Sequence, residues 1–128
     1  MITRPIIAIS LGDPCGIGPE VVAKALAHPS VNLWCEPIVI GNQEVLTANL
    51  VSIGSSIDLV QVETPQGHIK GSGIVQILDP GNLEPNLIEN GILSKTAGLA
   101  SMEWVLQAGN LCLNGSVDGM ATAPINKE

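Results

Sequence analysis

The chain has 128 residues, which fits one domain with a hydrophobic core of its own. Hydrophobic residues make up 45% of it, a share that argues against intrinsic disorder. Twelve acidic and five basic residues give a net charge of −7, which disfavours nucleic acids and acidic membrane surfaces as partners.

The cysteines and the N-terminal residues indicate a cytoplasmic protein. Cys15, Cys35 and Cys112 are far apart and form no C-x-x-C pair, so three reduced thiols are the simplest interpretation. The first apolar run is interrupted by Gly12 and is too short for a signal peptide or a membrane span. Phe and Tyr are absent, so we expect a core of aliphatic residues, as in the buried strands of α/β proteins.

The first half of the chain alternates between predicted strands and helices. Residues 5–11 are an apolar run typical of a buried strand, and the helix after them should end near His28 and Pro29. Further strands are predicted at residues 36–40 and 57–62, and Asn42 is a suitable N-cap for the helix between them. The β-α-β-α-β order predicts a parallel sheet covered by helices.

The second half contains the longest predicted helix. After a segment rich in Gly and Pro with one strand at residues 74–78, residues 94–114 show a helical pattern that Ser94 can cap and Gly115 can end. A last strand is predicted at residues 118–123. We expect one side of the helix to pack in the core or a dimer; it carries Ala97, Ser101, Trp104, Val105, Ala108, Leu111 and Cys112.

A glycine-rich turn joins the first strand to the first helix. It reads G-D-P-C-G-I-G-P-E over residues 12–20, where Asp13 supplies a carboxylate and Gly16 and Gly18 allow a close approach of the backbone. Ligands bind at the carboxyl ends of parallel strands, so these three residues are candidates to line a cleft. The alternative for Asp13 is a helix-capping role. The spacing differs from G-x-G-x-x-G, which disfavours a Rossmann nucleotide site.

Two motifs carry a resemblance to a known family. Residues 12–20, together with T-A-P-I-N-K-E at residues 122–128, resemble segments of the 4-hydroxythreonine-4-phosphate dehydrogenase family. Residues 91–118, which include G-S-V-D, are similar to the long helix of that family and to the approach to its next strand. The resemblance covers residues 1–128 as a single α/β domain, corresponding to the N-terminal part of a longer two-domain subunit.

The resemblance implies a fold, a reaction and partners. The fold would be a mostly parallel three-layer α/β/α arrangement like that of isocitrate and isopropylmalate dehydrogenases, in a cytoplasmic homodimer. The family oxidises and decarboxylates 4-phospho-hydroxy-L-threonine with NAD or NADP and a divalent metal (Zn, Mg or Co), in the biosynthesis of pyridoxal 5′-phosphate. It also implies that Thr122, Asn126 and Lys127 line the cleft, where Lys127 would add positive potential for a phosphorylated substrate. The alternative is an ordinary loop with a solvated lysine.

The family's metal-binding histidines and its G-H-T-E motif have no counterpart in this sequence. His28 and His68 match no family ligand, so we assign no catalytic or metal-binding residue and expect the chain to be inactive alone. Cys15, where the family more usually has Ala, is interpreted as a small buried residue rather than a reactive thiol. A fragment of this fold should leave a sheet edge or a helix face uncovered, which favours association.

Alternative functions also follow from these observations. The resemblance leaves open a paralogous dehydrogenase of 4-phosphorylated sugar acids such as threonate or erythronate, or an enzyme that oxidises a cyclic dihydrodiol. A non-catalytic α/β module is the alternative from a different class.

Overall fold

The computed structural model describes residues 4–66, 73–84, 86 and 94–125. Within these residues the chain forms five strands and four helices. The strands are β1 (Ile6–Ser10), β2 (Glu36–Ile40), β3 (Asp58–Gln61), β4 (Ile74–Leu78) and β5 (Gly119–Thr122). The helices are α1 (Gly18–Ala27), α2 (Pro29–Trp34), α3 (Gln43–Ser52) and α4 (Lys95–Leu113).

The strands form one parallel sheet in the order β3-β4-β2-β1-β5. β1 therefore lies between β2 and β5, and Ile7 pairs with Pro37 on one side and Gly119 on the other. Crossovers between parallel strands are right-handed, which places α1 and α3 on one face of the sheet and α4 on the other. In agreement, α1 contacts α3, and α4 packs on β1, β5 and β2. This arrangement confirms the predicted parallel α/β/α fold.

The core is aliphatic apart from one tryptophan. β2 is buried along its whole length, as expected for a central strand covered on both faces. Trp104 of α4 is fully buried, and its indole Nε1 donates a hydrogen bond to Asn82 Oδ1 at 3.0 Å. Ala97, Ala100 and Ala108 are buried on the same helix, which brings α4 close to the sheet. The expectation that this side of the helix packs in the core is confirmed, although Val105 and Cys112 are only half-buried.

Local residue preferences determine where α3 begins and where α4 begins and ends. Asn42 Oδ1 accepts a hydrogen bond from the Val45 amide at 3.0 Å, and Ser94 Oγ accepts one from the Ala97 amide at 3.2 Å. Both are N-caps, as predicted from the sequence. Gly115 follows α4 with φ = 81°, which is the left-handed conformation expected for a residue that ends a helix.

Helix α2 was not predicted. The sequence predicts that the first helix ends near His28 and Pro29, and α1 does end at Ala27, two residues before Pro29. A proline is also well tolerated in the first turn of a helix, where its missing N–H is not needed. His28 caps this new helix, since its Nδ1 accepts a hydrogen bond from the Ser30 amide at 3.2 Å.

Two neighbouring surfaces of this fold are uncovered. β5 is an edge strand with mostly exposed residues, and within the described residues it pairs only with β1. The solvent side of α4 carries a row of exposed apolar side chains, which we call the α4 stripe: Leu99, Met102, Leu106 and Leu113. Among the described residues, a sheet edge and a helix face are thus both exposed.

A membrane-crossing helix is not found among the residues that the structure describes, since none there combines the required length with sufficient apolarity.

Candidate functional site

The two turns that carry the motifs lie side by side. The glycine-rich turn of residues 12–20 follows β1, and the turn that begins at Ala123 follows β5. Ser10, the last residue of β1, is in register with Thr122, and the Ala123 amide donates a hydrogen bond to the Ser10 carbonyl at 3.1 Å. β2 and β5 flank β1 in the sheet, and ligands of such sheets bind at the carboxyl ends of the strands, so a crevice is expected at the carboxyl end of β1.

One backbone carbonyl joins the two turns. The amide of Asp13 donates a hydrogen bond to the Pro124 oxygen at 3.0 Å. A Cβ atom on Gly12 would lie 2.5 Å from that same oxygen, and one on Gly18 would lie 3.0 Å from it. Gly12 also has φ = 82°, a conformation that other residues rarely adopt. The turns therefore pack backbone against backbone, with no room for a side chain between them.

Asp13 stabilises the first turn rather than the helix that follows. Its side chain is 8% exposed, and Oδ1 accepts a hydrogen bond from the Cys15 amide at 2.8 Å. The N-cap of α1 is Ile17, with no side-chain hydrogen bond at that end of the helix. The alternative that Asp13 caps α1 is thus wrong, because the carboxylate closes the turn two residues ahead. Cys15 is 4% exposed, in agreement with its interpretation as a small buried residue.

The two candidate glycines of this turn have different surroundings. Gly18 is buried, and a Cβ atom there would lie 2.6 Å from the Leu11 oxygen. Gly16 is exposed, and its Cβ would lie no closer than 3.5 Å to Asp13, which is an ordinary contact. The space beside Gly18 is filled by the protein's own backbone, whereas the backbone at Gly16 is open to solvent and to a ligand.

The second turn contributes one described candidate side chain. Thr122, at the end of β5, is exposed beside the first turn. Asn126 and Lys127, which the resemblance places in the cleft, lie outside the described residues. The described parts of the two turns contain no Lys, Arg or His, so they provide no cation for a phosphate group.

The described residues do not fit the metal site that the family resemblance implies. Among them, no group of three or more His, Cys, Asp or Glu side chains is placed to hold a metal ion. His28 is engaged as the cap of α2, and His68 lies outside the described residues. We therefore derive no step of the reaction through a metal bound to these residues.

A second concave region lies at the carboxyl ends of β2, β3 and β4. It has a volume of about 660 Å³, and the described residues that line it include acidic and amide side chains but no Lys, Arg or His. Two of its carboxylates, Glu44 and Glu84, are exposed. This negative lining disfavours a phosphorylated ligand in this cavity.

Sequence reasoning missed the residues that hold the two turns together. Gly12 and Pro124 were parts of the motifs, but neither motif indicates that its residues contact the other. Gly41 was also missed, although a Cβ there would lie 2.5 Å from the Leu11 Cβ. A further unpredicted feature is the hydroxyl of Ser10, which is buried at the end of β1 with no hydrogen-bond partner among the described residues.

Comparison with known proteins agrees with the motifs. A family model described as "Pyridoxal phosphate biosynthetic protein PdxA" matches residues 33–128. The 4-hydroxythreonine-4-phosphate dehydrogenase of Trichlorobacter lovleyi is 36% identical over 126 residues, which are 98% of this chain and 38% of that protein. The D-threonate 4-phosphate dehydrogenase of Cupriavidus necator is 39% identical over 124 residues, which are 97% of this chain and 37% of that protein.

A solved structure shows the same fold. The crystal structure of a 4-hydroxythreonine-4-phosphate dehydrogenase from Burkholderia phymatum superposes with a TM-score of 0.90 at 33% identity. The superposition covers 98% of this chain and 38% of that one, so the chain spans less than two fifths of the length of these relatives. Because the family model covers most of the sequence, the chain belongs to the PdxA family, as the two motifs predicted.

Proposed function

We propose that this chain is the first part of a longer, two-domain dehydrogenase subunit that acts on 4-hydroxythreonine 4-phosphate in the biosynthesis of pyridoxal 5′-phosphate. The names of its relatives and its family membership support this activity. The observation that carries the proposal is the contact between Asp13 and Pro124, because it unites the two family motifs at the crevice where ligands bind in parallel sheets.

In this proposal the chain supplies one wall of the active-site cleft. Asp13 fixes the shape of the first turn, the exposed backbone at Gly16 allows close approach, and Thr122 offers a hydroxyl at the end of β5. Asn126 and Lys127 complete the wall, where the ammonium group of Lys127 attracts the phosphorylated substrate. NAD or NADP, when bound, accepts the hydride that leaves the substrate carbon, while the hydroxyl proton is released.

The rest of the machinery belongs to the longer subunit. Its divalent metal, whether Zn, Mg or Co, would be held by residues that this chain does not provide, so the chain alone should show no turnover. We further propose a cytoplasmic homodimer. The three cysteines, Cys15, Cys35 and Cys112, form no disulfide among the described residues, which supports the cytoplasmic assignment, because disulfides are typical of oxidising compartments.

D-threonate 4-phosphate is the second candidate substrate. The relative from Cupriavidus necator that bears this name is as similar to the chain as the 4-hydroxythreonine-4-phosphate dehydrogenases are. Both substrates carry a terminal phosphate and an oxidisable hydroxyl, so the same wall can serve either one. A direct comparison of the two substrates decides between them.

A chimera tests the proposal. Residues 1–128 would replace the matching segment of the Trichlorobacter lovleyi enzyme, and NADH or NADPH formation would be followed with each substrate in the presence of a divalent metal. We expect activity from the chimera and none from the isolated chain. A folded chimera that is inactive with both substrates, beside an active parent enzyme, would contradict the proposal. Turnover by the isolated chain would contradict the claim that essential residues lie elsewhere.

A further inference from the structure

In the contact between the two turns, three residues of the first turn surround a single backbone atom of the second. The Pro124 oxygen accepts the Asp13 amide and lies against the α-carbons of Gly12 and Gly18. Pro124 itself is exposed on its other side. The location of the Pro124 oxygen is therefore tied to the first turn.

We infer that Gly12 and Gly18 are positioning residues, which determine where Pro124 and the turn after β5 lie. The backbones of the two turns are close-packed at this contact, and backbone atoms cannot move aside as the end of a flexible side chain can. A methyl group on Gly12 would lie 2.5 Å from the Pro124 oxygen, so the turn after β5 or the first turn must move. A methyl group on Gly18 would lie 3.0 Å from the Pro124 oxygen and 2.6 Å from the Leu11 oxygen, so it presses on both turns. Substitutions in the first motif therefore change the geometry of the second, although none of the substituted residues need touch a ligand.

The glycines of this chain provide matched controls. Gly18→Ala introduces the steric conflict without a positive φ, whereas Gly115→Ala introduces a positive-φ strain with no atom within 4 Å. Gly16→Ala, in the same turn as Gly18, meets only ordinary contacts. Gly12→Ala combines the steric conflict with the positive φ. The four variants separate displacement of the second turn from general loss of stability.

Amide NMR spectra of the 128-residue chain test the inference. We expect Gly12→Ala and, to a smaller extent, Gly18→Ala to shift the amide signals of Ala123 and Ile125 and to accelerate the hydrogen exchange of these two amides. The amides of β2 and β4 should keep their signals and their exchange rates. Gly16→Ala and Gly115→Ala should leave the amides of Ala123 and Ile125 unchanged. Spectra in which both Gly12→Ala and Gly18→Ala shift only the amides of the first turn would overturn the inference.

A second measurement works even where Gly18→Ala fails to fold. Pro124→Gly loosens the second turn and leaves the glycines of the first intact. We expect it to raise the rate of Cys15 alkylation several-fold, because the Asp13 amide loses a fixed acceptor and the turn that buries Cys15 opens. The half-buried Cys35 and Cys112 should react as before. An unchanged rate at Cys15 would show that the two turns are not coupled.

The catalytic consequence rests on the proposed function and is tested separately. In the chimera, Gly18→Ala should raise the KM for the phosphorylated substrate or lower kcat, whereas Gly115→Ala should change neither. If the chimera with Gly18 intact is inactive, the proposed function fails while the NMR result still decides the coupling. If the chimera is active and Gly18→Ala leaves both constants unchanged, the positioning role fails and the proposed function stands.

Discussion

The carboxylate of Asp79 joins the end of β4 to the first turn of α3, because its Oδ2 accepts a hydrogen bond from the Gln43 amide at 2.9 Å. Its Oδ1 accepts a second one from the Gly81 amide, also at 2.9 Å. A negative group at this position also interacts favourably with the positive end of the helix dipole. Asp79 therefore stabilises the loops at the carboxyl edge of the sheet, beside the acidic cavity.

Replacement of Asp79 should destabilise the chain. Asp79→Ala leaves two amides without their acceptor, so we expect a loss of about 2 kcal/mol in the free energy of unfolding, measured by urea denaturation. Asp79→Asn keeps one acceptor oxygen and should lose less. Glu84→Ala, an exposed change on the same loop, is the control, and its effect should stay within about 0.5 kcal/mol. Equal effects of Asp79→Ala and Glu84→Ala would argue against the bridging role.

The two tryptophans should differ in stability and in fluorescence. Trp104 is fully buried and hydrogen-bonded to Asn82, so Trp104→Phe should cost about 2 kcal/mol in the free energy of unfolding. Trp34 is 70% exposed, and Trp34→Phe should have almost no effect on stability. Iodide should quench the fluorescence of Trp34 but not that of Trp104. Efficient quenching in the Trp34→Phe variant would place Trp104 outside the core.

The isolated chain should associate in solution through its uncovered surfaces. The α4 stripe presents large apolar side chains to water, and β5 is an edge strand that pairs only with β1 in the described part of the chain. We expect Leu99→Gln combined with Leu106→Gln to shift the chain towards monomer in size-exclusion chromatography. Thr96→Gln, an exposed change on the same helix, should not. A compact monomer with a cooperative thermal transition before any substitution would contradict this expectation.

The thiol of Cys35 should titrate above the ordinary range for cysteine. Burial raises its pKa, Arg4 opposes this shift because a cation favours the thiolate, and Glu36 adds to it. In a variant with Cys15→Ala and Cys112→Ala, the rate of alkylation should therefore rise with pH through a midpoint above that of a free thiol, about 8.5. Arg4→Gln should move the midpoint still higher. A midpoint at or below that of a free thiol would be inconsistent with these surroundings.

Sequence patterns predicted the elements well where local chemistry decides them. The apolar run of β2 and the cap residues Asn42 and Ser94 have preferences that need no knowledge of the rest of the fold. Helix α2 was missed because Pro29 is compatible both with a helix end and with a helix start, and the neighbouring His28 decides between them.

The sequence predicted where the candidate site lies in the fold, but not the contacts between its two turns. Two motifs at the carboxyl ends of strands indicated a shared crevice, which follows from the geometry of parallel sheets. That the Pro124 oxygen lies against Gly12 could not be predicted, because it depends on β1 and β5 being neighbours. The hydrogen bond from the Cys15 amide to Asp13 likewise depends on the packing around the turn. The preference of Asp for helix N-caps contains no information on that packing.

The position of β1 has a consequence for the order in which the chain can fold. The Ile6 amide donates a hydrogen bond to Asp118 across 112 residues of sequence, and Ile7 pairs with Gly119 beside it. During synthesis on the ribosome, β1 emerges early and can pair with β2 soon afterwards. Its other side stays open until β5, Gly119–Thr122, has been translated. Such long-range pairing slows folding and exposes a strand to wrong partners, so we expect the emerging chain to need protection by chaperones until β5 is in place.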